Sequence, residues 1–407
     1  MRKQLGNILV GTGFLGMTAL FILQSGSRLC GAPVVQTVAR AESLGDIRGD
    51  KNREGRESSQ EGSDSRQKVV ILTYMRSGSS LTGNILQQSP QVFYVYEPLW
   101  YIGKVFGGKY PTQLSFADDS SIELPVNMKA MNLDAVHFLQ AYLDCRLGEI
   151  SVEILMQWTS RMSRAMGGFL RCTNGNKTQS IVRGCIKSLS RSCQQRKVSA
   201  VKLIRASMQE MHFLLHSDPN VKVIHLMRDP RAALRSRNSV GEFRWNDIKA
   251  AANKMCSRVW DDLQMSSVLR RRFPGRLLTV RYEDIVRSPL EAAQQLYDYL
   301  GLKFTPDVES FVWNSTYGGL PDDCNICTTR SNATATANRW RTEVGRFPQI
   351  LLAQAECASV MEALGYKVLA TPEEISDQRF PSTLEDYGME SLLKVDIRQG
   401  KNTQSQN

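Results

Sequence analysis

Histidine is scarce in this chain, whose 407 residues hold four of them, His137, His212, His216 and His225. None belongs to an HExxH pair, which excludes the zinc-protease arrangement. His212 and His216 lie four apart on an expected helix, at surface positions; His225 falls inside an apolar strand and reads as a packed core residue; His137 carries no signal. Zinc ligands are missing as well. One CxxC occurs, Cys324 to Cys327, without a second CxxC or a nearby His pair, so a disulfide role, with each other or with Cys357, is expected and no metal is. Basic residues are plentiful, with a net charge of +11, but they form no Lys/Arg block and no zinc-finger or RNA-binding signature accompanies them. The charge attracts polyanions in general, and nucleic acid ranks below an anionic membrane or an acidic glycan.

Residues 5–23 are uncharged and mostly apolar, long enough to cross a bilayer, with Arg2 and Lys3 before them and Arg28 after. This predicts a membrane helix at 5–23 with residues 1–4 in the cytosol; the alternative is a signal peptide cleaved near Ser25, Gly26 and Ser27. Residues 24–67 follow as a flexible stem, since the stretch from Ala39 alternates acids, bases, Ser and Gly and offers almost nothing to bury. With 42% hydrophobic and 22% charged residues the chain can build one large α/β domain. That domain is expected over 68–370, with 371–407 a mobile tail holding at most one short helix. Three Asn-x-Ser/Thr sites, at Asn176, Asn314 and Asn332, agree with a lumenal, glycosylated domain. Cys172, Cys185 and Cys193 sit in a polar, basic insertion, expected to be a disulfide-tied surface loop.

Two segments carry the chemistry. The first runs from Val69 to Trp100, an apolar strand, the turn Arg76-Ser77-Gly78-Ser79-Ser80, a helix and then a second, aromatic strand ending at Tyr96. A strand entering a helix through such a turn can hold an anion: glycine lets the backbone approach, the first-turn amides point outward, and serine hydroxyls and Arg76 add donors. It is not a GxxxxGK[ST] loop, because the lysine is missing, and this counts against an ATPase or kinase. The second segment, Val221 to Arg237, is again an apolar strand, a basic turn and a helix, with Pro230 suited to the first helical turn. Strands alternating with helices imply a parallel sheet with ligand at the carboxyl ends of its strands. Two anion sites there suggest one ligand with two phosphates.

YMRSGSS, followed by YEPLW, and RDPRAALRS resemble the 5′-phosphosulfate loop and the 3′-phosphate segment of Golgi carbohydrate sulfotransferases. The branch most similar sulfates the C6 hydroxyl of galactose, N-acetylgalactosamine or N-acetylglucosamine, in keratan- or chondroitin-type chains. The resemblance spans roughly Lys68 to Ala370 and implies a P-loop-like α/β fold with helices flanking a central parallel sheet. It also implies 3′-phosphoadenosine 5′-phosphosulfate as donor, a glycan acceptor, and a single-pass type II protein of the Golgi membrane with a lumenal catalytic domain; homo-oligomerisation stays open. The donor would be held by Tyr74, Met75, Arg76, Ser77, Gly78, Ser79 and Ser80 and by Arg228, Asp229, Pro230, Arg231, Ala232, Ala233, Leu234, Arg235 and Ser236. Within the second set Arg228 and Ser236 match the 3′-phosphate ligands, and Arg231 and Arg235 face acceptor or solvent.

Arg76 is the expected stabiliser of charge on the bridging oxygen, and Glu97 is a base for the sugar hydroxyl or a carboxylate that orients Arg76 or that hydroxyl. Arg330 to Arg341 resembles the family's closing segment, in which Trp340 is core or a stacking surface and Arg339 or Arg341 reaches phosphate or an acidic glycan. The alternatives are a catalytically inactive glycan- or nucleotide-binding protein of the same fold, and an ATP-dependent phosphate transferase.

Overall fold

The computed structural model describes residues 66–125, 128–318, 328 and 330–384. The membrane helix expected at 5–23, nearly all of the stem, and Cys324 and Cys327 lie outside the described residues. Among the described residues no helix is long and apolar enough to cross a membrane.

Short β-branched and aliphatic runs become the strands of one sheet. These are β1 (Gln67–Thr73), β2 (Val92–Tyr96), β5 (Val198–Leu203), β6 (Val221–Met227) and β7 (Leu277–Arg281), while β3 (Gln113–Ser115) and β4 (Ser121–Glu123) make a separate hairpin. The large sheet has the order β2-β5-β1-β6-β7, and every pair in it is parallel. Because side chains alternate along a strand, the two faces feed two cores. Val70, Leu72, Phe93, Val95, Val201 and Val223 enter one; Val69, Ile71, Tyr94, Ala200, Ile224 and Val280 enter the other. A sheet covered on both faces must be made of such residues.

β1 sits at the centre. Its chain leaves through the helix Ser79–Leu86 toward the β2 edge, and β6, on its other side, leaves through the helix Pro230–Asn238 and then the helix Ile248–Arg272 toward β7. The carboxyl ends of β1 and β6 therefore flank a crevice at a switch in strand order, where open α/β sheets hold ligands.

Three local expectations change. The Cys-bearing insertion is not a surface loop: it forms the helix Gln179–Gln194, which buries Val182, Cys185, Ile186, Leu189 and Cys193. Those positions recur at helical spacing beneath a polar exterior. Cys145 pairs with Cys193 and Cys172 with Cys185. Cys357 pairs with Cys256, not with Cys324 or Cys327.

The fold also continues past Ala370. Thr371 caps the helix Pro372–Ser376, Ile375 is fully buried, and Arg341 donates to the carbonyls of Glu374, Ile375 and Phe380 at 2.8 Å. One buried guanidinium on several backbone oxygens fixes a segment whose own apolar content is too low to announce it.

Candidate active site

Arg76 and Gly78 both adopt left-handed backbone, with φ of 69° and 84°. Gly78 has a second reason to be glycine, since a Cβ there would lie 2.0 Å from the buried Tyr282 ring. No side chain caps the helix that follows, and while the Leu81 and Thr82 amides donate to the Gly78 carbonyl, those of Ser79 and Ser80 lead the helix as donors for a ligand. The strained Arg76 backbone is held from the other segment: Arg228 Nη1 donates to its carbonyl at 2.7 Å, and Arg76 Nε donates to Ser236 Oγ at 2.9 Å. The two basic turns, 160 residues apart in the chain, thus meet at Arg76. Burial, then the charges of Arg228 and Arg330, pulls the Arg76 pKa below its ordinary value. A cation held among cations in partial burial favours an anionic ligand.

Two clefts adjoin this contact. One, of about 540 Å³, is lined by Arg228, Ala232, Arg235 and Ser236, with Arg330, Arg339 and Trp340 opposite. Arg228 stacks over Tyr282 at 4.9 Å, and its Nε is buried with no partner among the described residues. A buried unpaired donor on a charged group is costly, and a phosphate oxygen would satisfy it. The other cleft, of about 330 Å³, has Met75 to Ser80 as floor and Tyr96, Glu97, Trp100, Lys104, Trp158, Lys202, Arg205 and Glu242 among its walls. Both clefts are lined by Arg76, Arg330 and Thr336.

Several residues of the two motifs point away from the clefts. The Tyr74 hydroxyl donates to Asp262 at 2.8 Å and meets His225 Nε2 at 3.0 Å, inside the core. Asp229 caps its helix and forks onto Arg231, with Nη2 to Oδ2 at 2.7 Å. Arg231 also donates to Gln354 and to the Lys367 carbonyl and lies 4.2 Å over the Trp340 ring, so it faces neither acceptor nor solvent. Pro230, Ala233 and Leu234 are buried beside it. Arg235 does line the larger cleft and pairs with Glu343 at 3.1 Å. Trp340 is 2% exposed yet walls the same cleft, whereas Arg341 is spent on the carbonyls already described. The acids of Arg281-Tyr282-Glu283-Asp284, at the end of β7, are structural: Asp284 grips Arg281 through two 2.8 Å bonds, and Glu283 accepts from the Asp229 amide and the Tyr366 hydroxyl.

Glu97 lines the smaller cleft with φ of 46°, and both its oxygens are occupied. Lys202 Nζ donates to Oε1 at 2.6 Å, and Arg205 Nη1 donates to Oε2. Lys202 is itself 2% exposed and lies 4.0 Å over the Tyr96 ring. Taking a substrate proton would therefore break one of two ion pairs.

Lys202, Arg205, Tyr282 and Arg330 are site residues that sequence reasoning did not single out. Lys202 left a trace, a lone charge in the strand VSAVKL. The histidines stand away from both clefts. Burial, then Arg270 and Arg258, pulls the His225 pKa down to about 3 and keeps it neutral. His137 and His216 are exposed. Among the described residues no group of three or more His, Cys, Asp or Glu side chains is placed to hold a metal. Asn176, Asn314 and Asn332 are all exposed, although Asn332 also caps the helix Ala333–Ala337.

Residues 68–306 match the model of the sulfotransferase family. The chain belongs to that family. It is 27% identical to carbohydrate sulfotransferase 2 of Mus musculus over 368 residues, covering 78% of this chain and 68% of that protein. It is 30% identical to carbohydrate sulfotransferase 5 of Homo sapiens over 352 residues, covering 79% and 82%. Among solved structures, the sulfotransferase domain from the curacin biosynthetic pathway aligns with 72% of this chain and 97% of that chain, at 16% identity and a TM-score of 0.42. In this sulfotransferase, then, the two clefts beside Arg76 are the place to seek donor and acceptor.

Proposed function

We propose that this sulfotransferase moves sulfate from 3′-phosphoadenosine 5′-phosphosulfate to the C6 hydroxyl of a galactose or N-acetylhexosamine in a glycan, by in-line displacement. One observation carries the reading: Arg76 is bonded to both Arg228 and Ser236 and lines both clefts. The larger cleft supplies the cations and the unpaired Arg228 Nε that a 3′-phosphate needs. The smaller supplies a serine-rich turn and helix amides for the 5′ end, and room for a sugar. The donor, when bound, brings the sulfuryl group.

Arg76, with Ser77, Ser79, Ser80 and the first-turn amides, stabilises the charge that grows on the bridging oxygen. Glu97 holds Lys202 and Arg205 at the acceptor wall. The C6 position is supported by the motif resemblance, and a sugar acceptor by the names of the relatives. The uncharged run at 5–23 and the exposed glycosylation sites support a lumenal catalytic domain at the Golgi membrane.

Calorimetry on the full-length protein tests the donor. Adenosine 3′,5′-bisphosphate should bind at least tenfold tighter than adenosine 5′-phosphate or ATP, and Arg228→Ala should remove that preference, since one charge-assisted contact is worth a factor of roughly 10 to 100. Equal affinities in the wild type would remove the donor assignment and revive an ATP-dependent transferase. Tight binding without transfer to any glycan would favour the inactive binding protein. Gly78→Ala should cost donor affinity more than Arg228→Ala does, because the added methyl meets the Tyr282 ring and the φ disfavours it. Unchanged affinity in Gly78→Ala would show that the loop does not form the site.

A further inference from the structure

Beside the smaller cleft lies an aromatic cluster that the transfer chemistry does not use. Trp158 is 50% exposed and Tyr110 41% exposed, although large apolar rings normally find cover. Trp100 meets both edge-on, with ring centroids 5.8 Å from Trp158 and 5.7 Å from Tyr110. Trp100 and Trp158 line the cleft whose floor is the Arg76 loop. The platform is held rigidly: Gln157, buried next to Trp158, donates to the Glu97 carbonyl at 3.0 Å and accepts from the Tyr101 amide at 2.8 Å. Lys104 Nζ stands 5.3 Å over the Trp100 ring, with no carboxylate of the described residues in ion-pair range.

We infer that Trp158, Trp100 and Tyr110 form a stacking subsite for the glycan chain beyond the disaccharide unit that holds the acceptor residue, with Lys104 taking an acidic group on a sugar of that flank. The inference rests on the proposed sulfate transfer to a glycan. The occupant follows from continuity and charge. Trp100 and Trp158 of the platform line the transfer cleft, so a chain whose acceptor unit lies at Arg76 can run out over it. The cleft is lined by five cationic side chains against two carboxylates, which suits a polyanion. Exposed, rigid aromatics offer area at little entropic cost. The subsite makes the enzyme prefer a chain over its isolated repeat unit.

The test compares a desulfated chondroitin tetrasaccharide with the matching disaccharide as acceptors for the full-length enzyme. In Trp158→Ala the ratio of kcat/KM for tetrasaccharide to that for disaccharide should fall about tenfold, as for loss of one aromatic stacking partner, and Trp158→Phe should restore most of it. Lys104→Gln should lower the same ratio about tenfold for the uronate-bearing tetrasaccharide, and less for a neutral galactose–N-acetylglucosamine tetrasaccharide. An unchanged ratio in Trp158→Ala overturns the inference. So does a wild-type dimer that Trp158→Ala dissociates with the ratio unaltered, since the platform would then be a contact between copies.

If the wild type sulfates none of the chondroitin or galactose–N-acetylglucosamine acceptors, the transfer reading fails, and the subsite is judged by tryptophan fluorescence alone. Quenching by the tetrasaccharide that is lost in Trp158→Ala supports it, and the absence of quenching in the wild type overturns it.

Discussion

Arg76→Ala should lower the rate of sulfate transfer by about 10³-fold or more while leaving the fold intact. Fixed cations and donors aimed at developing charge are worth about 10²–10³ for one oxyanion donor, and more for an arginine in phosphoryl transfer. Arg76 is placed for such a role twice over. Its side chain lines both clefts and is oriented by Ser236, and its backbone is pinned by Arg228 in a left-handed conformation that few side chains adopt. Stability should change little, because the guanidinium is half-buried and partly repelled by Arg228 and Arg330. Arg76→Lys keeps the charge but loses the fork and the bond to Ser236, so it should recover part of the rate. Single-turnover transfer with labelled donor, beside a melting curve for each variant, reads both quantities. Wild-type turnover in Arg76→Ala would remove the residue from the chemistry.

Glu97→Ala should act first on stability. It strands the Lys202 ammonium, which is 2% exposed and whose carboxylate partner lies 2.6 Å away. Removing one partner of a buried pair costs about 3–5 kcal/mol, which for a domain of this size lowers the Tm by roughly 10 °C. Arg205 would also lose its anchor at the acceptor wall, so the KM for the acceptor should rise. Adding Lys202→Met removes the stranded charge and should return most of the Tm without returning the acceptor KM. A catalytic base would behave differently: Glu97→Gln would abolish the acid limb of the kcat/KM profile with the Tm unmoved. That pattern would sink the positioning role.

The strands were legible because β1, β2, β6 and β7 are dominated by β-branched, aliphatic or aromatic residues and bounded by turn residues, the composition expected of a parallel sheet covered on both faces. The helix Gln179–Gln194 was not, because its apolar positions are spaced among arginines, serines and cysteines that together resemble a loop. In the site, Arg228 and Arg231 look equivalent in the string RDPRAALRS. They part in three dimensions because Asp229 caps the helix, and the guanidinium three residues beyond Arg228 folds back onto that cap. The Glu97–Lys202 pair spans 105 residues, and no local pattern reports a contact of that range. Arg330 lay within a segment already marked as the family's closing stretch, but only the fold shows that it completes both clefts.

The most direct test of the account is to incubate the full-length enzyme with ³⁵S-labelled 3′-phosphoadenosine 5′-phosphosulfate and a panel of desulfated chondroitin and keratan oligosaccharides, and to locate the label in the product. The account predicts label on the C6 oxygen of a galactose or N-acetylhexosamine. Label on another sugar position would refute the regiochemistry, and an enzyme that binds adenosine 3′,5′-bisphosphate yet labels no glycan would contradict the central claim that Arg76 joins a donor cleft to an acceptor cleft.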